Sequence, residues 1–352
     1  GGWAFVEKFF SSDAQEGDGF GYSVVMEGAT CVIGAKSEFP NGVFNAGSAY
    51  VFERVGSNWV EVQKLVANPT IPNANFGWSL ALDGDRMLIG ARSENSLGSN
   101  AGAVYVFERA AGVWSQTARL LANDGASFDF FGQAVALSGN TAVIGSAADG
   151  PAGDSQGAAY VFEFNGLQWL QVAKLRASDP GSLTGFSSSL ALGHDVTLIG
   201  SVSHTHAGLS GSGGLYAFNR TGSLWQENQE SLQHAPSNQL NFGGRVVLSG
   251  DLAVVGSTRD PSTLTGRGAA YLFRRLPTGW NEIARLSAHD VSDGDGFGGN
   301  LAIDGSTVVV GVPARDDLCP TIPTCSSGAV YIFEFCPDAR QFGWCMSGAP
   351  CA

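Results

Sequence analysis

Three aromatic series run through this chain in one phase, and together they constrain its fold more than any other feature. Phe20, Phe76, Phe131, Phe186, Phe242 and Phe297 recur at steps of 55 or 56 residues. Trp3, Trp59, Trp114, Trp169, Trp225 and Trp280 keep the same steps, and so do Tyr50, Tyr105, Tyr160, Tyr216, Tyr271 and Tyr331 until a last step of 60. Independent series locked in phase define six structural repeats, so the architecture must be one supersecondary unit used six times.

Each unit reads as four short strands. In the third, Ala134-Val135-Ala136-Leu137 is followed by a tight turn and Thr141-Ala142-Val143-Ile144-Gly145. A long polar loop leads to Ala158-Ala159-Tyr160-Val161-Phe162-Glu163, and a second turn leads to Trp169-Leu170-Gln171-Val172-Ala173-Lys174-Leu175. The third and fourth strands alternate large with small or polar residues, the period of a half-buried strand, whereas the first and second are apolar throughout and read as the covered pair. The first turn always holds a glycine (Gly28, Gly84, Gly139, Gly193, Gly250, Gly305), which supplies the positive φ of a primed hairpin turn. Repeated four-stranded antiparallel units predict an all-β, six-bladed β-propeller over residues 1–335, with a Cys-containing tail over 336–352. Trp3 begins a fourth strand with no first three before it, and the last unit lacks one, so the N-terminal strand is expected to complete the sixth blade.

Composition narrows the function. With 19 basic against 32 acidic side chains, the formal charge is −13, which argues against nucleic acid and anionic membrane as partners. No apolar run reaches the roughly 20 residues of a spanning helix. No nucleophile elbow, zinc-protease helix motif or phosphate-cradling loop is present, and propeller construction accounts for every repeated position, so the chain reads as no enzyme.

Segments such as Phe131-Gly132…Val143-Ile144-Gly145, and Phe76-Gly77…Leu88-Ile89-Gly90-Ala91 followed by Gly102-Ala103-Val104-Tyr105-Val106-Phe107-Glu108, resemble FG-GAP repeats. That resemblance implies the propeller found in integrin α-subunit heads and in many secreted or surface bacterial proteins, where it serves mainly in adhesion and ligand binding. It would also imply calcium loops between first and second strands. Here those connections are tight turns such as Asp83-Gly84-Asp85-Arg86, too short to wrap a cation, so the family's calcium sites are not carried over. The fourth unit departs from the pattern: Ser187 follows its Phe, and Glu230 stands where others have Lys8, Lys64, Arg119, Lys174 or Arg285.

Candidate chemistry is sparse. Acidic pairs precede three of the Phe residues: Asp13 with Asp18, Asp124 with Asp129, and Asp290 with Asp295. Asp290, Asp293 and Asp295 form the best candidate for a Ca²⁺ site, against the plainer reading that such residues cap their own turns. His204 and His206 could share a metal but lack further ligands nearby, and read as solvent-exposed histidines of a Gly/Ser loop. The repeated Trp and Tyr are packing residues. Cys31 reads as a buried free thiol and Cys319 with Cys325 as a local disulfide, while Cys336, Cys345 and Cys351, whose pairing the sequence does not fix, leave one tail thiol odd unless Cys31 is drawn in. Clustered cysteines favour an oxidising, extracellular location.

The long loops between second and third strands share one face with the joints between blades, because strands alternate in direction. Phe39, Phe44, His204, His206, Arg259 and Asp316 are their candidate contact residues. The sequence thus predicts a secreted or cell-surface binding scaffold that engages a protein partner through this face. Two alternatives stand beside it: a structural subunit that self-assembles through its tail, and a lectin that recognises glycans through loop residues.

Overall fold

The computed structural model describes residues 7–150, 155–179, 184–205, 208–229, 241–259, 267–292, 294–315 and 328–335. The chain is all-β, built of six repeated antiparallel blades of β-propeller type. Its helical content among the described residues is one 3-10 turn, Pro40–Gly42. It divides into two compact units near Arg176.

The first unit holds three four-stranded sheets. They are β1 (Phe20–Glu27), β2 (Thr30–Ala35), β3 (Ser48–Val55) and β4 (Asn58–Leu65); β5 (Phe76–Asp83), β6 (Arg86–Ala91), β7 (Ala103–Ala110) and β8 (Val113–Leu120); and β9 (Val135–Ser138), β10 (Thr141–Ser146), β11 (Ala158–Phe164) and β12 (Trp169–Leu175). The second unit holds β13 (Phe186–Leu192), β14 (Val196–Ser201), β15 (Gly214–Thr221) and β16 (Leu224–Gln229); β17 (Phe242–Ser249), β18 (Leu252–Ser257), β19 (Ala269–Leu276) and β20 (Gly279–Leu286); and β21 (Asn300–Asp304), β22 (Thr307–Val312) and β23 (Ala329–Glu334). Every sheet is a meander in sequence order, which short hairpin turns and one longer loop per blade permit.

Within each unit the core lies between successive sheets. Val32 and Val51 of the first sheet pack against Phe76, Ile89, Tyr105 and Trp114 of the second, and Leu88 and Val106 of the second against Phe131, Ile144 and Tyr160 of the third. The same layering puts Leu198 and Ala217 against Phe242, Tyr271 and Trp280. The Phe that opens each blade sits edge-on to two third-strand rings, as in Phe76 to Tyr105 at 5.5 Å and Phe131 to Tyr160 at 5.4 Å. These recurrent rings are core, as their phase implies.

The glycines explain why sheets approach so closely. A Cβ built on Gly90 would lie 2.4 Å from the carbonyl oxygen of Gly132, and one on Gly34 would lie 2.2 Å from that of Gly77. The second-strand glycine of one blade therefore lies directly against the glycine that follows Phe in the next, a spacing no side chain allows.

Two expectations need correcting. In the five four-stranded sheets the covered pair is the second and third strands, not the first and second, whereas in the three-stranded sixth sheet β22 and β23 keep an alternating pattern. β2, β6 and β10 are almost wholly buried, and β3, β7 and β11 are buried over their first five residues. Sheet order decides this: second and third strands are interior, while first and fourth are edges. Gly193 also does not adopt the positive φ seen at Gly28, Gly84, Gly139, Gly250 and Gly305, because a three-residue connection separates β13 from β14 where those blades use two.

The expected N-terminal closing strand falls mostly on residues outside those described. Residues 7–10 belong to no strand, but two of their side chains make the contacts of the equivalent outer-strand positions. Glu7 Oε2 accepts a hydrogen bond from the Trp59 amide at 3.0 Å, as Gln63 of β4 does from Trp114 at 2.9 Å and Gln229 of β16 from Trp280 at 2.8 Å. Phe9, at the place of Leu65 in the repeat, stacks on Phe52 at 5.1 Å.

Candidate binding face

Charged residues buried beneath the long loops hold them in place. Glu38, Glu94 and Asp149 occupy equivalent loop positions and are all nearly inaccessible. Each meets the basic residue of the fourth strand: Lys64 Nζ lies 3.0 Å from Glu38, Arg119 pairs with Glu94, and Lys174 Nζ lies 2.8 Å from Asp149. Loop and following joint are then laced by backbone bonds. The Asn73 amide donates to Phe44 and that of Asn75 to Asn45; in the next blade Phe128 donates to Ser99 and Phe130 to Asn100. The long loops and joints thus share one face in the first unit, as strand alternation requires.

The acidic pairs of the joints have two structural duties. The second member caps its turn: Asp18, Asp129 and Asp295 each accept an amide three residues back, from Gln15, Ala126 and Ser292, at 2.7 Å. The first member receives the third-strand tyrosine hydroxyl. Tyr50 donates to Asp13 at 2.7 Å, Tyr160 to Asp124 at 2.9 Å and Tyr331 to Asp290 at 2.9 Å; Tyr216 donates likewise to Asp179 at 2.7 Å, although Thr184 stands there in place of a second acid. Burial and these carboxylates push the Tyr50 and Tyr160 hydroxyls well above the usual phenol range, so both remain donors. In the second blade Pro69 stands at the joint position, and no carboxylate accepts a hydrogen bond from the Tyr105 hydroxyl among the described residues. Of the calcium candidates, Asp290 is engaged by Tyr331 and Arg315, Asp295 by its own turn, and Asp293 lies outside the described residues.

The two members of a joint differ in electrostatics, and this sets a test. Burial raises Asp124, but its bonds from Lys174 and Tyr160 outweigh that and hold it below the ordinary carboxylate range. Burial raises Asp129, and the Asp149 charge adds to the rise. An acid depressed by folding stabilises above its unfolded pKa of about 3.9, and that contribution is lost as pH falls through the folded value. An acid raised by folding costs stability once it ionises. Asp124→Asn should therefore be less stable than the parent at pH 7, by no more than about 1 kcal/mol because the residue is half exposed. Asp129→Asn, whose amide oxygen keeps the cap, should be as stable or more so. Urea titrations at neutral pH and near pH 3 should show both differences shrinking in acid.

The fourth and sixth blades rewrite the anchor. His204 and Arg315 stand at the loop position that carries Glu38, Glu94 and Asp149 elsewhere. His204 is not the exposed loop histidine expected. It is 3% accessible, with Nε2 3.1 Å from Asp179, because it fills the buried anchor site. Arg315 donates to the Tyr331 hydroxyl at 2.9 Å and lies 3.3 Å from Asp290.

A second arrangement on this face was not foreseen. Lys36 and Arg92 follow the second strands of the first two blades, and Tyr22 and Trp78 follow their Phe-Gly pairs. Tyr22 and Trp78 lie 4.7 Å apart; Lys36 Nζ sits 4.6 Å above Tyr22 and 5.2 Å above Trp78. Arg92 is sandwiched between Trp78 at 4.2 Å and Phe130 at 4.3 Å. Burial lowers the Arg92 pKa, and its Nε has no acceptor among the described residues. Neither cation is in an ion pair among those residues. Phe128 and Phe130 also hold φ of +69° and +57°; the place of Phe128 carries Gly17, Asn73, Leu183, Gln239 and Gly294 in the other repeats, and that of Phe130 carries only Gly or Asn: Gly19, Asn75, Gly185, Asn241 and Gly296. The sequence signal was present in the second of these columns, five Gly or Asn residues broken by Phe130 alone.

Of the expected contact residues, Phe39 and Phe44 are exposed and pack edge-on at 4.9 Å, and Arg259 is exposed. His206 and Asp316 lie outside the described residues, as do Cys319, Cys325, Cys336, Cys345 and Cys351. Cys31 is a buried free thiol, and burial pushes its pKa up to about 11. Among the described residues no group of three or more His, Cys, Asp or Glu is placed to hold a metal ion, and no helix is long and apolar enough to cross a membrane.

No curated protein shows significant similarity to the chain. The profile of the FG-GAP repeat matches residues 3–52, 59–107, 114–162, 169–218 and 280–333, each running from a Trp of the repeated series into the third strand of a blade. The unmatched stretch between the last two contains Glu230, where the anchoring base is missing. With five repeats covering more than half of its length, the chain belongs to the FG-GAP repeat family.

Proposed function

We propose that this protein is a non-catalytic extracellular scaffold that engages a protein partner through its long-loop face. The observation that supports this is the contrast within single loops. Each is fixed from below by a buried acid, yet it offers large apolar side chains to solvent: Phe39 and Phe44 in the first blade, Leu97 in the second, and Phe128 in the joint after it. A pre-ordered surface loses little entropy on binding, and exposed apolar side chains on it supply the contact.

A photo-crosslinking residue placed at position 44 should form adducts with a different extracellular protein. The same residue at Leu167, 91% accessible in the turn at the opposite end of the strands, should not. Adducts at Leu167 alone would overturn the assignment of the face. Self-adducts alone would favour an assembly subunit, and glycan-array binding without protein adducts would favour a lectin.

A further inference from the structure

We infer that the row Tyr22–Lys36–Trp78–Arg92–Phe130 recognises a carboxylate-bearing, apolar-flanked segment of the protein partner; this rests on the scaffold reading above and specifies its chemistry. Two independent observations carry it. The first is uncompensated charge. In a chain of net charge −13, the buried acids of the loops neutralise Lys64, Arg119 and Lys174, while Lys36 and Arg92 face only aromatic rings. With the Trp78 and Phe130 rings 4.2 Å and 4.3 Å from its Cζ and its Nε buried, Arg92 offers a partner its two terminal amino groups, whose fork matches a carboxylate.

The second is strain. Phe128 and Phe130 occupy left-handed backbone conformations, and at the place of Phe130 all five other repeats carry Gly or Asn. A phenyl side chain is disfavoured there, and strain retained at one place points to use. Phe130 completes the sandwich on Arg92, and Phe128 projects beside it, 57% accessible. Phe39, Phe44 and Leu97 extend the apolar border along the adjoining loops. Trp78 is already engaged by Lys36 and Arg92, which competes with stacking of a sugar on it. Two cations are too few for a polyphosphate, which needs a wider basic patch.

The probe is a fluorescein-labelled peptide of alternating Asp and Leu, with Asn–Leu and Lys–Leu peptides and polygalacturonate as comparators, read by anisotropy. The Asp–Leu peptide should bind the full chain in preference to all three. Arg92→Gln should weaken it by about tenfold or more, the weight of a charge-assisted bidentate contact. Phe130→Asn should weaken it similarly while raising the melting temperature, because Asn suits the positive φ; a merely structural Phe would give no such opposition. Equal binding of Asp–Leu and Asn–Leu, unchanged affinity in Arg92→Gln, or preference for polygalacturonate would each overturn the inference. If position-44 adducts persist but the Asp–Leu peptide does not compete with them, the chemistry proposed here fails while the scaffold reading stands.

Discussion

Gly102→Ala should leave little folded protein. A Cβ there would sit 2.0 Å from the Phe131 carbonyl oxygen and 2.6 Å from its nitrogen, and the residue's φ is +88°. Neither neighbour can yield, because both are backbone and Gly102 bridges Phe131 in parallel fashion while the Phe131 amide donates to Ala101 at 2.9 Å. Overpacking typically costs about 1–3 kcal/mol and a left-handed non-glycine residue a similar amount, so the expected loss is about 3–5 kcal/mol. That is a large fraction of a domain's stability. Gly112→Ala isolates the conformational part: its φ is +79° with nothing within 4 Å of the added carbon. It should cost only about 1–2 kcal/mol. Urea denaturation of the two variants separates them, and equal losses would show that the close approach of blades is not the constraint.

Glu94→Ala should lower stability by about 3 kcal/mol, near the bottom of the range for breaking a buried ion pair. Glu94 is completely buried and receives Arg119 and, at 2.6 Å, the Ser96 amide. Its removal leaves the guanidinium beneath the second long loop without a counter-charge, although partial exposure of Arg119 moderates the cost. Asp85→Ala supplies the contrast. Asp85 also binds an arginine, at 2.7 Å, but its side chain is 71% accessible and Arg109 keeps Glu53. The expected loss is below about 1 kcal/mol. Amide exchange should localise the Glu94→Ala effect to residues 92–101, since the Ser96 amide loses its carboxylate acceptor while Gly102 keeps the main-chain carbonyl of residue 94.

The fold was legible because its signal is redundant. Phe, Trp and Tyr each mark a different strand of every blade, so substitutions such as Ser187 or Glu230 leave the phase intact. Burial was less legible: alternation along β3 or β7 suggested one wet face, but an interior strand flanked by other sheets has none. The anchoring role of the joints was half visible. Asp18 and Asp129 capping their turns follows from local sequence, whereas Asp13 receiving Tyr50 joins residues 37 apart in sequence and needed the fold. His204 misled for the same reason, since its Gly/Ser surroundings say loop and only its equivalence to Glu38 says buried. Phe128 and Phe130 look like ordinary hydrophobic residues until backbone angles are compared across repeats.

The bond from each opening Phe amide to the preceding loop's last carbonyl, seen from Phe76 to Ala46 and from Phe131 to Ala101, is made by main-chain atoms alone. Spacing between those neighbouring sheets is therefore indifferent to what the loops spell. Foreign sequences spliced between Glu38 and Ala46, or between Glu94 and Ala101, should be accepted so long as the acid and the closing glycine stay. That would let such a chassis be re-addressed to new targets without redesigning its interior.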